Sequence, residues 1–154
     1  LVPNLANKEE WGFEIEKHSP KTKYCVLRGS TEDKWRLLEA NQDCLIFIET
    51  YAGLVRMVSE TVINRKGKNK LDPNPKLVGL LTKRFNGLIL DESTFVGNRG
   101  TLAWRICRKL SQTSEIVFKL TGNPFVSDPM LLWAQSYLMD FGENLGPTLE
   151  LFRK

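Results

Sequence analysis

The stretch Gly87-Leu88-Ile89-Leu90-Asp91-Glu92-Ser93-Thr94 constrains the fold more than any other, because a short apolar run stops abruptly at two adjacent carboxylates. Such a run reads as a buried parallel strand that delivers its acids to the carboxyl edge of a sheet, where open α/β folds bind ligands. Many strands end in Asp or Glu only to leave the core, so the pattern alone is weak. It gains weight from a second strand end downstream, where Ile116-Val117-Phe118-Lys119-Leu120 leads into Thr121-Gly122-Asn123-Pro124. In a nucleotide-hydrolysing site the first acid would hold Mg²⁺, usually through water. The second would orient or deprotonate the attacking water.

Around these strands the chain alternates helix and strand. Leu1-Val2-Pro3 reads as the tail of a strand, and Asn4 or Asn7 caps a helix that runs to about residue 17, stopped by Ser19-Pro20. Residues 23–28 read as a strand, and Gly29-Ser30 turns into a short helix over residues 34–40. Residues 44–50 are nearly all apolar and predict a strand buried on both faces. The spacing of Leu54, Val55, Val58 and Val62 predicts a helix over residues 51–62. A break rich in Lys, Asn and Pro covers residues 64–75. Helices over residues 76–85 and 100–110 precede the two strands described first, and a last helix over residues 129–139 is capped by Asp128 ahead of Pro129. Strands separated by helices predict the α/β class: a parallel sheet flanked by helices on both faces.

Length and composition narrow the function classes. A chain of 154 residues predicts one domain, able to bury roughly 70% of its unfolded surface. Apolar and charged fractions of 42% and 26% are ordinary for a globular protein. No apolar run approaches the ~20 residues of a membrane span, and Asn4, Asn7, Lys8 and Glu9 interrupt any signal-peptide pattern at once. Cys25, Cys44 and Cys107 are odd in number and widely spaced, which predicts reduced thiols of a cytoplasmic or nuclear protein. The lone His18 excludes multi-histidine metal clusters, and Ser93 has no histidine partner for nucleophilic catalysis. Residues 64–70 carry four cations, Arg65, Lys66, Lys68 and Lys70, without an acid. They suit either a mobile solvated loop or a segment lying along a nucleic-acid backbone. Arg105, Arg108 and Lys109, interleaved with Trp104 and Ile106, predict a helix with a charged outer face, and the four tryptophans predict packing.

Taken together, the motif order resembles the first RecA-like domain of the SWI/SNF-type DNA-dependent ATPases, within helicase superfamily II. Val2-Pro3, followed by Asn7-Lys8-Glu9-Glu10-Trp11, Glu14 and Lys17, is similar to motif Ia. Val26-Leu27-Arg28-Gly29-Ser30 is similar to the strand-Gly-Ser that follows it, and Ile48-Glu49-Thr50-Tyr51 resembles motif Ib. Asp91-Glu92-Ser93-Thr94 resembles motif II, the DExx box, and Leu120-Thr121-Gly122-Asn123-Pro124 resembles motif III. Leu132-Trp133, Asp140, Gly142 and Leu145-Gly146 resemble the segment beyond it in compact bacterial and phage members.

The resemblance implies that Asp91 binds Mg²⁺ and contacts ATP, that Glu92 is the catalytic base, and that Thr121 and Gly122 couple the nucleotide to the DNA-binding surface. It places Pro3, Asn4 and Thr50 near the phosphate backbone of one strand of double-stranded DNA; Arg65, Lys66 and Lys68 are candidate contacts on the strength of their charge alone. Thr94 stands where many relatives have His, and Asn123 where Thr is usual. Nothing matches G-x-x-x-x-G-K-[ST], the phosphate-cradling loop. Residues 1–154 are therefore expected to form a partial first RecA-like domain covering motifs Ia to III, without the P-loop. A second RecA-like domain of the same parent chain would supply an arginine finger. The piece alone is expected to be inactive, since losing that arginine costs about 10³–10⁵ in rate. A non-catalytic nucleic-acid-binding scaffold and an unrelated metal-dependent hydrolase are the alternatives. The source leans bacterial or phage, with a cytoplasmic location; a eukaryotic source would make it nuclear.

Overall fold

The first helix begins where the sequence predicts. Asn4 has extended backbone and its side chain accepts from the Asn7 amide at 3.1 Å, capping α1 (Leu5–His18). This computed structural model describes residues 1–123 and 128–153, which cluster into two compact units, Leu1–Met57 and Val58–Lys154.

In the first unit, β1 (Tyr24–Val26) pairs in parallel with β2 (Ile46–Ile48), Tyr24 against Ile46 and Val26 against Ile48. The crossover is α2 (Thr31–Ala40), opened by a capping box in which Ser30 and Asp33 satisfy each other's backbone amides. Val2 bridges Thr50 in parallel, so the start of the chain lies beside the end of β2. Val2, Ile15 and Ile48 form a small core, with Trp11, Tyr24, Val26 and Ile46 packed on it. The strand expected to be buried on both faces is buried only at its far end. Leu45 is 78% exposed, whereas Ile48 is buried. Next comes α3 (Tyr51–Val58), which stops a full turn before the predicted end.

The second unit opens with an antiparallel hairpin, β3 (Ser59–Ile63) against β4 (Asn69–Pro73), where a mobile loop is one sequence expectation. Val62 keeps helical spacing with Val58, but Thr61, Val62 and Ile63 are β-branched and favour a strand once a partner exists. The tip is built: Asn64 Oδ1 accepts from the amides of Lys66 at 2.9 Å and Lys68 at 3.0 Å, and Gly67 takes the left-handed backbone the turn needs. Its base is braced by Asn74 Nδ2 donating to Glu60 at 2.9 Å and by Arg105 Nη1 donating to Asp72 at 2.6 Å. Arg105 is therefore part of this brace, and Arg108 lies over the rings of Trp104 and Tyr137, so the charged face of that helix is only partly a solvent face.

The hydrogen bond from Arg105 holds the Asp72 carboxyl below its ordinary value of 3.8, against a smaller opposing effect of burial. A depressed folded-state pKa means the brace contributes fully above the ordinary value and is lost as pH falls through the depressed one. An NMR titration of the Asp72 carboxyl carbon should accordingly show its midpoint below 3.8, returning to the ordinary range in Arg105→Ala.

Asn74 caps α4 (Pro75–Arg84), which leads into β5 (Gly87–Leu90). After a 3₁₀ turn at Ser93–Val96 come α5 (Leu102–Ser111), β6 (Ile116–Lys119), α6 (Pro129–Asp140) and a short α7 (Leu149–Phe152) that the sequence reading does not anticipate. Asp128 caps α6 as expected, accepting from Met130 at 2.8 Å. β5 and β6 are parallel, Gly87 against Ile116 and Leu90 against Lys119. α5 packs on β5 and α6 on β6, burying Leu88, Leu90, Ile106, Cys107 and Leu138. On the other face Ile89, Ile116 and Phe118 are exposed.

Trp104 and Trp133 are buried and donate to the carbonyls of Ala134 and Gly146, at 2.8 and 3.0 Å, so both are packing residues. All three cysteines are free thiols. Full burial pushes the Cys107 thiol up to about 12, and the thiolate is the reactive form. Iodoacetamide at neutral pH should label half-buried Cys44 first and Cys107 only on unfolding, as read by peptide mass spectrometry. Among the described residues, no helix is long and apolar enough to cross a membrane.

Candidate functional site

Asp91 and Glu92 leave the end of β5, where Leu90 is fully buried. Two backbone bonds stitch this exit to that of β6: the Leu120 amide donates to the Leu90 carbonyl, and the Ser93 amide donates to the Leu120 carbonyl, each at 2.9 Å. The stitching brings Thr121 to Glu92. Glu92 Oε1 accepts from Thr121 Oγ1 at 3.1 Å and from Thr94 Oγ1 at 2.9 Å. Both hydroxyls converge on one oxygen, and Oε2 makes no hydrogen bond among the described residues. Glu92 is held in the left-handed region, φ 46° and ψ 61°, at a cost of about 1–3 kcal/mol for a residue other than glycine. Ser93, fully buried, donates to Gln135 Oε1 at 2.7 Å and pins the turn to α6, a structural role.

The half-buried Asp91 accepts from the Glu92 amide at 3.0 Å. Among the described residues there is no group of three or more His, Cys, Asp or Glu able to cage a metal. A carboxylate at a strand end suits Mg²⁺, which keeps several waters and takes other ligands from phosphates. Gly122 is exposed, and among the described residues other than its chain neighbours no atom lies within 4 Å of where a Cβ would stand. Asn123 donates its amide to Thr121 Oγ1 at 3.2 Å. Pro124 lies outside the described residues.

A second constellation lies in the first unit and escapes sequence reasoning. Lys8 and Glu49 are 2% and 4% exposed. Lys8 Nζ donates to the Leu27 carbonyl and to Glu49 Oε1, the latter at 2.7 Å. Lys34 Nζ lies 2.7 Å from Glu49 Oε2 but off a hydrogen-bonding line, so that contact is chiefly charge on charge. The Thr50 amide donates to Oε1 at 2.7 Å, and Thr50 Oγ1 accepts from the Gly53 amide at 2.9 Å, opening α3. A Cβ on Gly53 would collide with this carboxylate, which explains the glycine inside a helix. The available sequence signal is an acid set into an otherwise apolar strand.

The Val2–Thr50 bridge brings the candidate nucleic-acid residues Pro3, Asn4 and Thr50 to neighbouring strand ends. Asn4 is exposed and Pro3 half-buried, while Thr50 is 7% exposed with its hydroxyl engaged internally. Arg65, Lys66 and Lys68 are exposed at the hairpin tip in the other unit.

No protein-family profile matches this chain, and no curated protein sequence does either. Among solved structures, one described as the Sulfolobus solfataricus SWI2/SNF2 ATPase core in complex with dsDNA is similar over 99% of this chain, at a TM-score of 0.66 and 21% identity. The chain spans about a quarter of that structure's length, 26%. At this identity the likeness concerns the fold, and the fold is the RecA-like α/β type of a SWI2/SNF2 core.

Proposed function

We propose that this chain is the motif Ia-to-III part of the first RecA-like domain of a SWI/SNF-type, ATP-driven motor on duplex DNA. The observation that carries the reading is the carboxylate of Glu92, set at the end of β5 and tied by Thr121 at the end of β6. That tie joins the residue suited to activating water with the segment suited to sensing the nucleotide. Mg²⁺–ATP would supply the labile phosphoryl group and the charge that Asp91 helps to balance. Glu92 would orient the attacking water through Oε2 while Oε1 stays clamped, a division of labour that keeps the base from rotating. Thr121 and Gly122 would pass the state of this turn to the DNA side. Pro3 and Asn4 would face phosphates at the N-terminus of α1. Thr50 would fix the start of α3 from inside, and Arg65, Lys66 and Lys68 would add charge. The second RecA-like domain would close the site.

ATP hydrolysis by the full-length protein, with and without duplex DNA and beside Glu92→Gln, tests this. DNA-stimulated hydrolysis that disappears in the variant is expected. Its absence from a folded full-length protein would overturn the motor reading. The second reading, a non-catalytic DNA-binding scaffold, would be favoured by a full-length protein that carries no G-x-x-x-x-G-K-[ST] sequence.

A further inference from the structure

We propose that the β3–β4 hairpin is a DNA-docking arm whose exposed apolar strip, Ile63 and Leu71, seats in a groove of duplex DNA while its basic tip holds the phosphates on the rim. The inference rests on the DNA-binding part of the reading above and not on ATP chemistry.

Strand alternation and register place the residues. Thr61 pairs with Leu71 and Ile63 with Asn69, so these side chains share one face. Glu60, Val62, Lys70 and Asp72 share the other, which is the face Arg105 grips through Asp72. The gripped face has its brace, while the opposite face is covered only at its base, where Pro73 is buried, and is exposed toward the tip at Thr61, Ile63, Asn69 and Leu71. Ile63 is 75% and Leu71 51% exposed, and they are diagonal neighbours across the ribbon. Single exposed aliphatics are ordinary, but two side by side on a braced ribbon and bordered by cations give an apolar strip available to a partner.

Charge decides which partner. The strip runs straight into a tip that carries Arg65, Lys66 and Lys68, with Lys70 on the returning strand and no acid between residues 61 and 71. A polyanion fits that border, whereas a neutral protein face would leave the tip's cations unmatched; the regular phosphate rim of a duplex supplies the anions on both sides of a groove. Shape agrees. Strands of five residues make a ribbon about 17 Å long, and a two-stranded ribbon is what the roughly 12 Å major groove of B-DNA admits. In that pose the tip cations reach phosphates, and Ile63 and Leu71 lose water against sugar and base edges. Ordered turn geometry at Asn64 and Gly67 and the brace at Asp72 make the arm stiff, so docking orders little chain.

The two contributions have different salt signatures, and the test uses that difference. Binding of the chain to a fluorescent duplex of mixed sequence would be followed by anisotropy across a salt series. The triple variant Arg65→Gln, Lys66→Gln, Lys68→Gln should flatten the log–log salt dependence by a slope of about 2.7, since each phosphate contact contributes about 0.9. Ile63→Ser with Leu71→Ser should weaken binding about tenfold at every salt concentration and leave the slope unchanged. All five positions are exposed, and unchanged thermal melts would confirm intact folds. The inference is overturned if the wild-type chain does not bind the duplex, or if the serine pair binds as tightly as wild type. Failure of DNA-stimulated ATP hydrolysis in the full-length protein, with both signatures present, would sink the motor and leave the arm standing.

Discussion

Glu49→Ala should cost about 3–5 kcal/mol of unfolding free energy, the usual consequence of removing one partner from a buried ion group. The reason is geometric. Lys8 and Lys34 both point their ammonium groups at this one carboxylate, from a site where Glu49 and Lys8 have almost no solvent contact. Without it, two cations face each other in the interior and the Thr50 amide loses its acceptor. Since domains are stable by only about 5–15 kcal/mol, much of the total would go. Urea denaturation should show the midpoint falling with an unchanged slope, and the melting temperature should drop by about 10 °C. Lys8→Met should cost less, because Lys34 still neutralises the acid. The triple change Lys8→Met, Lys34→Met, Glu49→Leu should recover most of the loss, since the penalty comes from uncompensated charge and not from the absence of the cluster. A single-site loss below about 1 kcal/mol would mean that water reaches the carboxylate.

On the proposed motor function, with Glu92 as its base, Glu92→Gln in the full-length protein should lower DNA-stimulated hydrolysis by about 10²–10⁴, the range expected for removing a general base. Glutamine keeps an oxygen able to accept from Thr94 and Thr121 at the positions Oε1 now occupies, so the turn should keep its shape. Duplex affinity and thermal stability should therefore stay at wild-type values while turnover falls. A variant that hydrolyses ATP at an undiminished rate would move the base elsewhere. Thr94→Val, which removes one of the two clamps, should give a smaller fall that Thr94→Ser restores.

The helices were legible because their ends are written locally. Asn4 and Asp128 before Pro129 each cap the helix they announce, whereas the Ser30–Asp33 pair and Asn74 before Pro75 cap helices that begin earlier than the expected residues 34 and 76. The exits of β5 and β6 were legible for the same reason, an apolar run meeting polar residues that hold a turn. The hairpin was not. Val62 continues the spacing of Val58, and only pairing with Lys70 decides for a strand. Pattern also overstated burial: Leu45, Ile89 and Ile116 belong to apolar runs yet stand exposed. The ion group around Glu49 was out of reach because its members sit on separate elements, and Lys8 and Glu49 are 41 residues apart. In the candidate site, the residue types at 91 and 92 were readable in sequence; the clamp by Thr94 and Thr121 needed the β5–β6 register.

The left-handed backbone at Glu92 sets stability against activity at a single position. Glycine or asparagine would adopt that conformation more readily, and either would relieve the turn. If Glu92 is the base, selection on folding alone would erode it, and only selection on turnover would keep a glutamate there. Lineages in which the motor has fallen silent should then drift at this position toward small or amide residues early, while the apolar strand ahead of it persists.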